Sequence, residues 1–202
     1  MPTSQIAICN KALSHLGIST EIQDITEASK EARACARFYG DVIEMSLRDY
    51  PWGFASVLAS LGAPVTIATN KEWYYSYRMP PDCLTLIRLL SGTRIDTEDS
   101  RVPFKKAHDS QGTIILTDLT SAYAEYTSTV TDPSLFPADF ADAAALLLAG
   151  MIAPRVTKGD DFKLGDRALK LYQWRIQSAQ GNEAGEQAFD TEPDTGSIRA
   201  RN

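Results

Sequence analysis

The stretch from Glu27 to Phe54, EASKEARACARFYGDVIEMSLRDYPWGF, decides how the rest of the chain must fold. Small or apolar side chains recur in it every three or four residues, which places them along one face of a helix. Thr26 and Glu27 suit the start of that helix, because an acceptor side chain and negative charge are favoured there. Pro51 prevents its continuation, so we predict that the helix ends near Asp49. The apolar positions are Ala28, Ala32, Cys35, Phe38 or Tyr39, Val42, Met45 or Ser46, and Tyr50.

This helix is long enough to cross the body of a small domain, because at about 1.5 Å per residue it spans roughly 35 Å. Its first half is rich in alanine, which lets another helix approach closely. Its second half and the residues just after it carry bulk, including Trp52 and Phe54, that can anchor a sheet. The change from small to large side chains predicts an α+β fold.

Three further helices are predicted from apolar periodicity and from helix start and stop signals. The first covers residues 4–16 and forms a hairpin with the long helix. The second covers 138–153, is apolar nearly all round, and is expected to stop before Pro154. The last covers 162–180, with Gly181 as its stop signal.

Between the second and third helices the sequence becomes rich in aromatic, β-branched and leucine residues, separated by turn-forming clusters. This pattern predicts about six strands in one antiparallel sheet. The fold class is therefore a bundle of about four helices with an antiparallel β-sheet subdomain and an extended C-terminal arm. The expected strands are 54–61, 71–78, 83–90, 102–107, 113–117 and 122–130.

The segment KEWYYSYR, residues 71–78, has the most concentrated aromatic character in the chain. In a strand, Trp73, Tyr75 and Tyr77 share one face and Tyr74 takes the other. Such a segment is either sheet core or an interface with another subunit, where aromatic residues with a polar end are favoured. The sequence leaves both interpretations open.

Composition restricts the class of protein. The chain has 202 residues, a net charge of −6, and no long apolar run of the kind that spans a membrane. Its three cysteines, Cys9, Cys35 and Cys83, stand far apart in apolar contexts, which is typical of buried free thiols. An acidic protein is not expected to grip nucleic acid in general, so protein partners are favoured.

The domain organisation follows from where periodicity ends. Residues 1–181 are expected to form a single α+β domain, with a helical part at 4–49 and 138–180 and a β part at 54–130. Residues 182–202 have too few apolar side chains to fold alone. Their acidic residues precede a basic tip, SIRAR, which suggests an arm that becomes ordered on binding a partner. In that arm, Ile198 would enter an apolar pocket while Arg199 and Arg201 would pair with carboxylates.

Enzyme signatures are missing from the sequence. It contains no P-loop, no GxGxxG, no HExxH, no CxxC and no GxSxG. His15 and His108 are the two available imidazoles, and His15 is expected to act as a cation at the end of the first helix. We therefore expect a protein that is not an enzyme, with no catalytic residue, no metal ligand and no cofactor.

Four stretches of the sequence, taken in order and spacing, resemble a known family. They are AICNKALSHLG at 7–17, SKEARAC followed by Phe38 and Tyr39, LRDYPWGFA at 47–55, and W.Y.Y..P.DCL at 73–84. Together they resemble the tail tubular protein A family, the head-to-tail adaptor or gatekeeper proteins of short-tailed bacteriophages and their prophage relatives. The likeness covers roughly the first ninety residues. DFADAAALLLAGMIAPRVT at 139–157 and the closing SIRAR are similar in style.

The resemblance implies a structural virion protein. Members of the family form a ring, usually twelvefold, between the portal at the capsid vertex and the tail nozzle, and genomic DNA passes through the lumen without specific binding. The implied location is the head-tail junction of the virion, with the host cytoplasm during assembly, and free subunits can be monomeric. The implied portal-binding arm carries Phe189, Ile198, Arg199 and Arg201. The candidate interface with a neighbouring subunit or the nozzle carries Trp73, Tyr75 and Tyr77.

The two parts of the domain are expected to contact different partners. The helical part would form the ring wall and face the portal, because only its helices are long enough to span it. The sheet part would offer loops 62–71 and 91–101 to neighbouring subunits or the nozzle. The alternative is an intracellular, monomeric protein-binding module of unknown partner. A small hydrolase, a third class, would need a pocket that joins one histidine to carboxylates.

Overall fold

A computed structural model describes residues 3–66, 72–92, 102–157 and 161–186. Those residues contain four α-helices and six β-strands, which confirms the α+β class. The helices are α1 (Gln5–His15), α2 (Lys30–Asp49), α3 (Ala138–Val156) and α4 (Asp161–Glu186). The strands are β1 (Ser56–Ser60), β2 (Tyr75–Arg78), β3 (Cys83–Leu90), β4 (Phe104–Asp109), β5 (Gly112–Thr117) and β6 (Tyr123–Ser128).

The long helix α2 ends as predicted but begins later. Its N-cap is Ser29, whose hydroxyl accepts the N–H of Ala32 at 3.1 Å. The predicted start near Glu27 is wrong, because that carboxylate is already used in the preceding loop, where it accepts the N–H groups of Gln23 and Asp24 at 2.6 and 2.8 Å. A side chain engaged on the loop side cannot also cap the helix.

Helix α3 is the centre of the helical part. Helices α1, α2 and α4 each pack extensively on α3, whereas the direct contact between α1 and α2 is small and includes Cys9 and Cys35. The expected hairpin of α1 with α2 is therefore wrong. The reason lies in the composition of α3, which is buried on nearly every side and offers a small or apolar surface to three neighbours at once. Its buried residues are Phe140, Ala141, Ala143, Ala144, Ala145, Leu146, Leu147, Leu148, Ala149, Ile152, Ala153 and Val156.

Helix α3 does not stop before Pro154, as the sequence had suggested, but continues to Val156. Proline has no N–H, so the carbonyl of Gly150, four residues earlier, receives no helical hydrogen bond from it. That carbonyl faces α4, where a Cβ added to Gly165 would lie 3.4 Å from its oxygen and 3.2 Å from the Cβ of Ala153. The proline is tolerated where two glycines let α3 and α4 cross with their backbones close together.

Helix α4 extends past its predicted end. Gly181 was expected to stop the helix, but the backbone remains helical to Glu186. A glycine inside a helix costs only about 1 kcal/mol relative to alanine, so it does not by itself end one. Near the middle of α4, the hydroxyl of Tyr172 donates a hydrogen bond to the carboxylate of Asp49 at the end of α2. This contact fixes α4 against two helices.

The residues just after α2 belong to an aromatic cluster. Trp52 and Phe54 lie against Phe136 and Phe140, with ring centroids 4.8 to 6.2 Å apart and largely edge-to-face geometry. The indole of Trp52 also donates to the carbonyl of Ser46 at 2.9 Å. These rings were expected to anchor a sheet. Instead they pack in the helical core, where they contact Phe140 of α3 and Phe136 just before it.

The strands form two sheets rather than the single one predicted. Both are antiparallel and three-stranded, with orders β1-β6-β3 and β2-β5-β4. Pairing in a sheet is non-local, so periodicity within each strand could not reveal the division. Side chains from both sheets share a second, smaller core, which is separate from that of the helices. Its buried members are Leu86, Leu89, Ile115, Ala124 and Tyr126.

Candidate interaction surfaces

Tyr77, predicted to belong to an interface, is a core residue. Its side chain is fully buried within the chain, and its hydroxyl donates to the carbonyl of Leu119 at 2.7 Å. Burial raises the pKa of its phenol. Its strand neighbour Ser76 is also buried, so β2 is covered on both faces. Tyr77 therefore has no side-chain surface to offer to another subunit.

The exposed aromatic of this segment is Tyr74, which the sequence had placed on the opposite face. It is 85% exposed, and its backbone N–H donates to the carboxylate of Asp118 at 3.0 Å. Trp73 and Tyr75 are half-buried beside it, and the Tyr75 hydroxyl accepts a 3.4 Å hydrogen bond from Thr120. Trp73 and Tyr74 precede β2, which begins at Tyr75. The surface available to a partner is Tyr74, with the exposed portions of Trp73 and Tyr75.

The two loops expected to reach neighbours are only partly described. Residues 67–71 and 93–101 lie outside the described residues. Near the first loop, the N–H of Val65 donates to the carbonyl of Ser76 at 2.7 Å and covers part of the β2 edge. Where β3 leads towards β4, a groove of about 520 Å³ opens between the sheets. It is lined by Ile87, Arg88, Leu89, Val102, Pro103 and Phe104.

On the helical part, a charged cluster joins three helices. Asp142 of α3 accepts a hydrogen bond from Arg175 of α4 at 3.0 Å and forms an ion pair with Lys11 of α1. His15 lies near both cations. Partial burial, then the charges of Lys11 and Arg175, lower its pKa. These effects disfavour the charged form of His15 and so oppose its predicted role as a cation at the end of α1.

Beside this cluster, α4 exposes an aromatic residue that the sequence analysis missed. Trp174 is 62% exposed, and the guanidinium of Arg175 lies over its ring at 5.9 Å from the centroid. Leu171, one turn earlier, is 40% exposed, whereas Tyr172 takes the inward position. Apolar periodicity indicates the inward stripe of α4, and Trp174 lies outside that stripe.

The three cysteines are free thiols that are buried or half-buried. Cys9 and Cys35 are both fully buried and lie side by side between α1 and α2, where hydrogen bonding to Cys35, together with burial, raises the pKa of Cys9. Cys83 is half-buried, and its pKa is also raised by burial. A raised pKa keeps the Cys9 and Cys83 thiols protonated and poor nucleophiles, whereas the hydrogen bond with Cys9 lowers the pKa of Cys35, whose thiol is fully buried. Across the described ranges, no group of three or more His, Cys, Asp or Glu residues could hold a metal ion.

The remaining predicted site residues belong to the C-terminal arm. Phe189, Ile198, Arg199 and Arg201 lie outside the described residues, and the arm is described only for its first residues, 182–186, as the end of α4. In the part of the chain that the structure covers, no helix has the length and apolar character needed to cross a bilayer.

Comparison with known proteins assigns the chain to no family. No protein-family model matches it, and no curated protein matches it either.

Proposed function

We propose that this protein is a head-to-tail adaptor of a short-tailed phage or prophage: a structural, non-enzymatic virion protein that forms a ring between the portal and the tail nozzle. The ring is twelvefold and sits at the head-tail junction, and free subunits assemble in the host cytoplasm. Genomic DNA passes through the lumen without specific binding. The net charge of −6 supports passage, because an acidic wall repels the phosphate backbone.

The observation that carries the proposal is where the four resembling stretches lie in the fold. They coincide with α1, with α2, with the Pro51–Trp52 turn that feeds the aromatic cluster, and with β2 through the start of β3. These elements contribute to both cores. The resemblance therefore extends over several helices and strands of the fold, in the same order along the chain, rather than over one short motif.

A closed ring requires that one patch of each subunit meet a different patch of the next. The described residues offer two exposed patches of different chemistry. One is the aromatic patch around Tyr74 on the sheet part, beside the carboxylate of Asp118. The other is the α4 surface around Trp174, with arginine and lysine side chains. Two unlike patches suit a head-to-tail contact better than a symmetric dimer.

The arm is the proposed portal contact. The arm should be deleted from residue 187 rather than from residue 182. Residues 182–186 continue α4, so a deletion from 182 would shorten that helix. A chain ending at Glu186 should keep a melting temperature close to that of the full chain and should no longer bind portal rings in a pull-down. The portal to use is that of the same phage or prophage, with electron microscopy of the mixture to show whether a ring is added.

Matched variants separate the two contacts proposed for the arm tip. Ile198→Ala tests the apolar pocket, and Arg199→Ala with Arg201→Ala tests the ion pairs. If the arginines dominate, binding of the full chain should weaken steeply between about 0.1 and 1 M salt, since the Debye length falls from about 10 to 3 Å. Binding of the truncated chain at full strength would refute the arm as the portal contact.

A further inference from the structure

Strand β1 forms one edge of the β1-β6-β3 sheet, and it lacks the features that usually protect such an edge. An exposed edge favours pairing with another chain, and proteins guard against this with lysine, proline, bulges or a covering segment. The β1 sequence, SVLAS at Ser56–Ser60, contains no charge and no proline. It pairs with β6 in one continuous register, and its central residue, Leu58, is 63% exposed. The β1 edge is therefore unprotected.

The other edge strands of the two described sheets each have some protection. Part of the β2 edge is covered by Val65, whose N–H donates to the carbonyl of Ser76 at 2.7 Å. Strand β3 has two register shifts in its pairing with β6, and it contacts α2. Strand β4 carries two adjacent exposed lysines, Lys105 and Lys106. Among these edges, β1 is the one to which a further strand would add most readily.

The pairing of β1 with β6 shows which of its backbone groups face outward. The N–H of Leu61 donates to the carbonyl of Ala122 at 2.9 Å, one position beyond the last paired residues of the ladder. Backbone groups alternate in direction along an antiparallel strand, so every second residue of β1 turns its N–H and carbonyl away from β6. The residues that face away are Ser56, Leu58 and Ser60.

Most of these outward groups have no partner in the part of the chain that the structure describes. The N–H of Ser56 is the exception, because it donates to the carbonyl of Gly53 in the preceding turn. The N–H groups of Leu58 and Ser60 remain as donors, and no hydrogen bond of either to a described residue is found. The carbonyls of all three residues remain as acceptors. A strand that pairs with β1 must match this pattern.

A second copy of β1 matches it, because the strand is nearly symmetric about Leu58. Serine stands two positions away on either side, and a partly buried apolar residue, Val57 or Ala59, adjoins it on either side. In an antiparallel pair with Leu58 opposite Leu58, these two residues exchange their backbone hydrogen bonds. The N–H of each Ser60 then meets the carbonyl of Ser56 in the other copy. Every outward donor is satisfied, and the exposed leucine side chains lie opposite each other on one face.

We propose that two copies of the free protein associate through β1, with Leu58 at the two-fold axis. The pair joins two three-stranded sheets into one continuous sheet and removes an edge that would favour aggregation. Two five-residue strands bury less than the roughly 1,200 Å² at the lower limit of standard interfaces, so the pair is weak and reversible. This contact is distinct from the head-to-tail patches and does not rest on the role at the head-tail junction.

Sedimentation velocity of the full-length chain tests the pair, between about 10 and about 500 µM, a range suited to a weak interface. We expect the sedimentation coefficient to rise with concentration towards that of a dimer. Leu58→Lys should abolish the rise, because a charge on an edge strand opposes pairing with another chain. The matched control is Leu135→Lys, since Leu135 is 61% exposed and lies outside the strands. The control should dimerise as the parent does.

Amide hydrogen exchange in the parent protein, measured by nuclear magnetic resonance, tests the register without any substitution. Pairing should protect the amides of Leu58 and Ser60, which face outward. It should leave those of Val57 and Ala59 unchanged, because they already bond to β6. At the concentration where half of the chains are paired, exchange of the two outward amides should slow by about twofold, since it then occurs from the unpaired half.

Each other outcome overturns the proposal. A chain that stays monomeric up to about 500 µM does not form the pair, and its β1 edge is then left to a strand of another protein. Dimerisation that survives Leu58→Lys lies elsewhere on the surface, and its loss in Leu135→Lys as well would indicate unspecific association of exposed leucines. Equal protection of neighbouring amides along β1 would contradict the register. The proposed function fails separately, because Leu58→Lys should leave attachment to portal rings unchanged.

Discussion

The helical part and the sheet part of this protein are held together in different ways. The helical part has one large core, with α3 buried on nearly all sides, so its stability rests on apolar burial and close backbone packing. The sheet part has a small core, and polar contacts surround it: Tyr77 to Leu119, Tyr126 to Asp82, and Arg78 to Asp109. The difference suggests that the helices form the body and that the sheets hold surface segments in place.

The largest effect should come from placing a charge in the helical core. Ala32 of α2 is fully buried, and Ala32→Glu would put a carboxylate there without a partner. We expect a loss of at least about 3 kcal/mol in the free energy of unfolding, measured by urea denaturation. Ala36→Glu is the matched control, because Ala36 is exposed one turn later on the same helix. If Ala32→Glu unfolds at the same urea concentration as the parent, α2 does not bury this face.

An intermediate effect should come from removing one polar contact in the sheet part. Tyr77→Phe deletes the hydroxyl that donates to the Leu119 carbonyl and leaves that oxygen without its donor. We expect a loss of about 1 to 2 kcal/mol in the free energy of unfolding. Tyr74→Phe, at the 85% exposed position, should change it by less than about 0.5 kcal/mol. Equal losses in the two variants would contradict the difference in burial between these tyrosines.

The smallest effect should come from a half-buried ion pair and should depend on pH. Hydrogen bonding to Arg78 lowers the pKa of Asp109 from its ordinary 3.8 to about 2. Because the pKa is lower in the folded state, the contribution of Asp109 to stability is present above about pH 3.8 and is lost as pH falls towards 2. The melting temperature of Asp109→Asn should therefore fall less than that of the parent between pH 5 and pH 2, because the variant lacks one carboxylate whose protonation destabilises the folded state.

Asp41→Asn is the control for this measurement, since Asp41 is exposed on α2 and forms no ion pair among those found in the described residues. It should follow the parent over the same pH range. A parallel fall in all three proteins would mean that the Arg78 contact adds nothing measurable.

Features set by local signals were predictable from the sequence. Pro51 ends α2 at Asp49, and the run of leucines and β-branched residues from Cys83 to Leu90 forms β3 with the predicted bounds. The free, largely buried cysteines also follow from their apolar contexts. In each case the neighbours in sequence determine the outcome, so no knowledge of tertiary packing is needed.

Features set by distant contacts were not predictable in this way. Pro154 is accommodated inside α3 because Gly165, on another helix, faces the region that it disturbs. The strands divide into two sheets through pairings between distant segments.

The candidate surfaces also depend on contacts that the sequence pattern does not reveal. Alternation separated Tyr74 from Tyr77 but left open which of them is buried, because pairing of β2 with the distant strand β5 and packing of distant segments decide that Tyr77 lies in the core and Tyr74 at the surface. Trp174 was overlooked because apolar periodicity identifies the buried face of a helix. One sequence signal could have revealed it: an aromatic residue out of phase with the stripe at Leu164, Ala168 and Ile176. The arm residues Phe189, Ile198, Arg199 and Arg201 were named from the sequence and lie outside the described residues.

The crossing of α3 and α4 at Gly150 and Gly165 has a mechanical consequence. A tensile load that acts along the axis of α4 would reach α3 as shear over their shared surface. Many small contacts would then have to break together, rather than one after another as in peeling. The hydroxyl of Tyr172, bonded to Asp49, would add a lateral anchor to α2. The end of α4 is thus a strong point from which a chain under tension could pull on the entire helical body.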